Sequence, residues 1–307
     1  MRTAPPYSIF AIRILTALLC LMLLAFSAEG RQSQPADSLW KDSLRVALND
    51  IQAGAPQAEY LLSLAEQLQG SHPGRAVYCA EKALSISRNY GASLTEGKSL
   101  YWCALLELRK NTYGDALDVP KGRAKLAAEL FRKQEEPGWL ARSYDLAANI
   151  HFNLEEDDSA VIYTRRALAA MNAMETAGTK KERVAAEVYY TAGKIAGEAG
   201  SDSALVWINR SQELHERTGN PEGVARAELL KGFYAEPESR EGHFLHAIEL
   251  YRKRDNRQGL YAALIEYAVY CINQYEDSGK RGEGWYRKST RSLREALQLE
   301  QDGRCEA

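Results

Sequence analysis

A small residue returns at a nearly fixed interval along this chain: Ala65, Ala104, Ala148, Gly193, Gly232 and Ala268, separated by 39, 44, 45, 39 and 36 residues. After the first four an alanine follows 11 or 12 residues later, at Ala76, Ala116, Ala160 and Ala204. A third small residue comes seven further on in three cases, at Ala83, Ala167 and Ser211. Two antiparallel helices approach closely only where their side chains are small, so such residues must recur wherever the same crossing recurs. The series therefore predicts a stack of similar helix pairs, with large apolar residues filling the space between pairs.

Local pattern agrees. Apolar residues recur at three and four spacings, as in Tyr60, Leu61, Leu64, Ala65 and Leu68, and again in Leu260, Leu264, Tyr267, Ala268 and Cys271. Alternating β-branched runs and hairpin signals are absent. The breaks carry turn chemistry: 70–74 (Gly-Ser-His-Pro-Gly), 136–138 (Glu-Pro-Gly), 219–223 (Gly-Asn-Pro-Glu-Gly) and Ser278-Gly279. Helices of about 12–18 residues joined by short turns describe antiparallel pairs.

The N-terminus carries a second signal. Arg2 and Arg13 precede an apolar run from Ile14 to Phe26, followed by Ser27 and Ala28. That order matches the three regions of a secretory leader. Both 25–27 and 28–30 offer small residues where cleavage needs them, so the cut stays open between them. The run is short for the ~20 apolar residues that span a bilayer, which favours cleavage over an uncleaved N-terminal membrane anchor. Leu19 and the apolar residues after Cys20 argue against a lipid anchor there. The expected organisation is a signal peptide over 1–28, a linker and N-terminal helix over 29–55, the array over 56–300 and a tail over 301–307. Within the linker, the polar stretch is 31–38.

Composition removes several classes. Hydrophobic residues make up 45% and charged residues 26%, too apolar for a disordered chain. The formal charge of −2 becomes two units more negative once Arg2 and Arg13 leave, so the field needed to neutralise phosphates is missing and nucleic acid is not an expected partner. No second stretch of membrane-spanning length follows the leader, so the mature chain is expected outside the cytoplasm, periplasmic or extracellular.

Residues 147–154 (Ala-Ala-Asn-Ile-His-Phe-Asn-Leu), then four acidic residues and Ser159-Ala160, resemble the tetratricopeptide motif Leu-Gly-Asn-Ile-Tyr-Tyr-Ser-Leu…Lys-Ala. Residues 191–195 through Ser203-Ala204 are similar and one residue shorter. Residues 67–76 resemble the first repeat of large bacterial sensory proteins that carry such arrays outside the membrane. The resemblance implies an all-α fold, a right-handed α-solenoid of about five to six stacked antiparallel helix pairs over 56–300. Two departures stand out. Pro120 would break a running helix, so residues 111–119 read as an insertion and the helix restarts at Pro120, with Asp118 as its cap. Lys231 stands where the family has a large apolar residue, which blurs the fifth register.

Signatures of chemistry are weak. His243 and His246 lie three apart beside Glu241, but a third ligand of suitable spacing is missing, so no metal and no cofactor is expected. His151 takes a position the family fills with tyrosine and reads as core. The acidic run Glu155-Glu156-Asp157-Asp158 lies in a turn before a helix, where negative charge suits the helix dipole better than a calcium loop. Phosphate loops, nucleophile elbows and zincin motifs do not occur. Cys79 and Cys103 fall on expected neighbouring helices, so they are bridged or buried free thiols; Cys305 sits near the end.

By resemblance, the first helices line a concave face that receives a protein or peptide partner. Its lining positions in repeats two to four are Lys98, Tyr101 and Leu105, then Arg142, Asp145 and Asn149, then Glu187, Tyr190 and Lys194. The lysine-and-asparagine clamp that some members use for a terminal carboxylate is not reproduced. The expected function is a non-catalytic scaffold or adaptor; a sensory module of a bacterial signalling system is the alternative, favoured if a coding sequence continues past Ala307. An enzyme is the third class, with no acid, base or nucleophile constellation behind it. Self-association through the repeat ends stays open.

Overall fold

The computed structural model describes residues 34–110, 115–175, 178–279 and 282–305. The leader over 1–28, the first part of the linker, residues 111–114 of the insertion and residues 306–307 of the tail lie outside the described residues. Among the described residues all regular structure is helical, with thirteen α-helices, one 3-10 turn and no strand. Helix α1 spans Gln34–Asn49, and α2 to α7 span Ala55–Leu68, Pro73–Asn89, Ser93–Lys110, Asp118–Lys133, Pro137–Asn153 and Asp157–Asn172. Helices α8 to α13 span Thr179–Glu198, Ala204–Arg217, Pro221–Tyr234, Pro237–Lys253, Arg257–Asp277 and Glu283–Cys305. Consecutive helices pack as pairs from α2/α3 onward, which makes this an all-α solenoid of the tetratricopeptide type. The described residues 51–250 form one compact unit, and those up to Asp50 and from Tyr251 form another.

Punctuation follows from the turn residues. Prolines open α3, α6, α10 and α11, where their missing N–H has no intrahelical partner to lose. Asn220 and Asn256 cap α10 and α12, their side chains accepting from the N–H of Gly223 and Gly259 at 3.1 and 2.8 Å. Helices end through left-handed residues: glycine at 91, 200, 219 and 279, but Glu135, Glu155 and Asp255 in three turns.

The small-residue series packs as expected at most positions. Ala65, Ala76, Ala104, Ala148, Ala160 and Ala268 are fully buried, and Ala204 nearly so. A Cβ on Gly193 would lie 2.6 Å from Ile208 Cγ1 and 3.1 Å from the Ile208 backbone nitrogen. At Gly232 it would lie 2.8 Å from the Phe244 ring, so the fifth register holds despite Lys231, which instead pairs with Glu228 and Gln212. Ala116 departs from the series: it is exposed in the 3-10 turn Asp115–Leu117, and Ala124, fully buried on α5, takes the packing position. The insertion displaced the register, and an alanine inside it coincided with the expected spacing.

Three boundaries differ from expectation. Asp118 is the first residue of α5 and makes no side-chain cap; Leu117 precedes it, and Pro120 sits in the first turn, where its lack of an N–H costs no helical bond. Helix α1 starts at Gln34, inside the polar stretch read as linker. Helix α13 continues to Cys305, so most of the expected tail is helical.

Among the described residues no helix is long and apolar enough to cross a membrane. Cys79, Cys103 and Cys271 are buried free thiols, so the 79–103 bridge does not form. Burial raises Cys79 to about 11 and Cys103 to about 12, which leaves both protonated and unreactive.

Candidate functional site

Within residues 51–250 the first helices of neighbouring pairs, α2, α4, α6, α8 and α10, touch one another as well as their own partners. Their shared face carries a row of charges in register. Six residues before each recurring small residue stand Glu59, Lys98, Arg142, Glu187 and Arg226. Lys98 Nζ donates to Glu59 Oε1 at 2.7 Å, and Arg226 Nη1 donates to the two Glu187 oxygens at 3.1 and 3.5 Å. His215 Nε2 lies 3.8 Å from Glu187 Oε1. Burial alone would raise Glu187, but Arg226, His215 and Arg142 together hold it below the usual carboxylate range.

Arg142 differs from its four counterparts. Among the described residues it has no carboxylate within ion-pair distance, and its guanidinium lies 5.4 Å over the Trp139 ring. Lys98 Nζ reaches the same ring at 5.8 Å, Tyr101 meets it edge-on at 5.5 Å, and Phe131 stacks on it at 5.6 Å.

The next rows are polar and partly apolar. Asn149 Nδ2 donates to Thr191 Oγ1 at 2.8 Å and to the Asp145 carbonyl at 3.2 Å, tying α6 to α8. Burial pushes the Asp145 carboxyl up to about 7, with Glu187 adding to the shift while the Thr191 hydroxyl, Arg226 and Arg142 oppose it. Its Oδ1 is buried and has no hydrogen-bond partner among the described residues. Lys194 sits 4.1 Å over the Phe152 ring, and burial lowers its ammonium to about 8. Tyr190 packs partly against Ile208, Ala227 and Leu230 while Arg226 lies 4.2 Å over its ring. Tyr101 and Leu105 lean on the core around Ala104 and Leu146.

All nine lining residues expected from the sequence therefore lie half-buried on one helix layer. Six of them are polar or charged and form one electrostatic network with residues the sequence reading did not select: Glu59, Trp139, Thr191 and Arg226. Glu59 and Arg226 occupy the same register one repeat to either side, so extending the series would have found them. The blurred fifth register hid Arg226.

The other singled-out residues have structural partners. His151 is buried, stacks on Tyr163 at 4.8 Å and pairs through Nδ1 with Glu156. Glu156 also accepts from Lys121 Nζ at 2.6 Å and makes no helix cap, so of the acidic run only Asp157 and Asp158 stand in the first turn of α7. His243 and His246 turn Nδ1 toward Glu228 Oε2, at 2.8 and 3.4 Å. Among the described residues no group of three or more His, Cys, Asp or Glu is arranged to hold a metal ion.

No family model matches this sequence, and no curated protein matches it. Solved structures do match in fold. Aspartyl phosphate phosphatase F from Bacillus subtilis superimposes with a TM-score of 0.62 at 14% identity, over 82% of this chain and 61% of that one. The apo form of RapI gives a TM-score of 0.57 at 15% identity, over 84% of this chain and 70% of that one. The chain thus spans about three fifths of the length of the first of these, and the likeness is one of fold.

Proposed function

We propose that this chain is an exported, non-catalytic scaffold that holds a protein or peptide segment along the first-helix face of its array. The observation that carries the reading is the half-buried stripe on α4, α6 and α8. Charged, amide and aromatic groups from successive repeats share one face there, and such a face suits an extended partner. Among the described residues, no carboxylate lies within ion-pair distance of Arg142 or Lys194, which keeps their donors open. Export rests on the Arg13–Ala28 pattern.

The two solved structures share the fold, and the phosphatase activity printed for one of them belongs to that protein. The sensory-module reading rests on the resemblance of residues 67–76 to sensory arrays, and the same face would serve it. A pull-down from the envelope fraction tests the proposal, comparing the parent with an Arg142→Ala/Lys194→Ala variant of unchanged melting temperature. Proteins captured by the parent and lost by the variant support it. Identical captures contradict the assignment of the face.

A further inference from the structure

We infer that the partner segment is acidic, and that one of its side-chain carboxylates closes on Arg142; this rests on the proposed reading of the face as a binding surface. The argument starts from the register row of five charges. Lys98 finds its counter-charge one repeat before, in Glu59, and Arg226 finds its own one repeat before, in Glu187. Arg142 has Lys98 at that position, which repels it, and Glu187 one repeat after, which already serves Arg226 and His215. The row is thus paired at both ends and carries one excess positive charge at its centre. In a chain whose formal charge is −2, that excess is local and not a reflection of the whole molecule.

The surroundings are built for an anion. Trp139 supports the guanidinium from below at 5.4 Å, and a ring contact leaves the edge N–H groups able to donate in a fork that matches a carboxylate. Tyr101 stands edge-on against the same ring, and its hydroxyl has no hydrogen-bond partner among the described residues. Burial keeps that phenol protonated and so a donor. On the next first helix, Lys194 adds a second cation, which has no ion pair among the described residues. Two acids lie near an incoming carboxylate: Asp145, which burial shifts toward its neutral form near pH 7, and Glu187, whose charge Arg226 already pairs. A peptide suits the site better than a free anion, because the polar stripe continues over successive repeats from α2 to α10.

The test uses the whole chain and four pools of fluorescein-labelled dodecamer peptides, random except for one central position fixed as Glu, Gln, Lys or Leu. Fluorescence anisotropy should show the Glu pool binding at least about fivefold tighter than the Gln pool, with the advantage shrinking at high salt. Arg142→Gln should abolish that preference without changing the melting temperature, Arg142→Lys should retain part of it, and Arg165→Gln on α7 should leave it intact. Equal binding of the Glu and Gln pools by the parent would overturn the inference while leaving the binding face standing. A Glu preference that survives Arg142→Gln would overturn it too, since the carboxylate would sit elsewhere. Binding by no pool would overturn both this inference and the scaffold reading.

Discussion

Gly97 on α4 and Phe131 on α5 are shaped to each other: a Cβ at position 97 would lie 2.9 Å from Phe131 Cε1. In other repeats alanine stands where Gly97 does, at Ala58, Ala141, Ala186 and Ala225, seven residues before the recurring small residue. Ala141 shares its core with Ala167 of the second helix, and opposite Ala186 stands Ser211, whose Oγ donates to the Ala186 carbonyl at 2.8 Å. The second repeat keeps the crossing closed by giving all the space to one ring. Gly97→Ala should therefore destabilise by about 1–2 kcal/mol, although alanine gains up to about 1 kcal/mol in helix propensity. In a Phe131→Leu background the same change should become neutral or favourable. Denaturant titration of the four-member cycle reads this coupling; simple additivity would contradict the packing account.

The same reasoning applies to the middle of the array. Gly193→Leu and Ala160→Leu should each cost about 1–3 kcal/mol, because Gly193 faces the Ile208 and Ala204 backbone and Ala160 is fully buried. Leucine is a good helix former, so propensity alone predicts the opposite at Gly193. Both variants melting at or above the parent temperature would disprove the register.

Asp145 predicts a pH dependence. Its folded value of about 7 lies above the ~4 of an unfolded aspartate. The folded chain then holds a proton that the unfolded chain has released between about pH 4 and 7. This residue's contribution to stability is full below pH 4, is lost as pH rises to about 7, and is flat above. Asp145→Asn should gain about 1–2 kcal/mol relative to the parent at pH 8 over its effect at pH 4.5, below the full shift because the side chain keeps some water. Urea titrations at the two pH values check this, and an equal difference at both would contradict it.

Export makes a separate prediction. The mature protein should begin between Ala28 and Arg31 and be recovered outside the cytoplasm. N-terminal sequencing that returns Met1 on soluble cytoplasmic material would end the export reading.

The fold was legible because its constraint is written in residue size: Gly193 or Ala148 admits no larger side chain, and each crossing repeats that demand. That Arg142, Asp145 and Asn149 share one helix face was legible for the same reason, since they keep a constant offset from Ala148. Legibility failed where the chain changes length or chemistry. Residues 111–117 lengthen one connection, so the spacing rule selected the exposed Ala116 in place of the buried Ala124. Trp139 stands in the first turn of α6, outside the offsets that mark the lining positions, so nothing in the pattern announces that it supports Arg142. Tyr190 fits the lining pattern yet leans on Ile208 and Leu230, which makes its removal a poor test of binding alone.

The measurement that tests the central claim most directly is the affinity of a captured partner for four single variants of equal melting temperature. Arg142→Ala and Lys194→Ala change the first-helix face. Arg165→Ala and Lys180→Ala change exposed residues on α7 and in the first turn of α8. If the partner lies along the first helices, each of the first two weakens binding by at least about 1 kcal/mol while the other two stay near zero. Normal binding by the first pair, or an equal loss in all four, would place the partner on another surface and contradict the account.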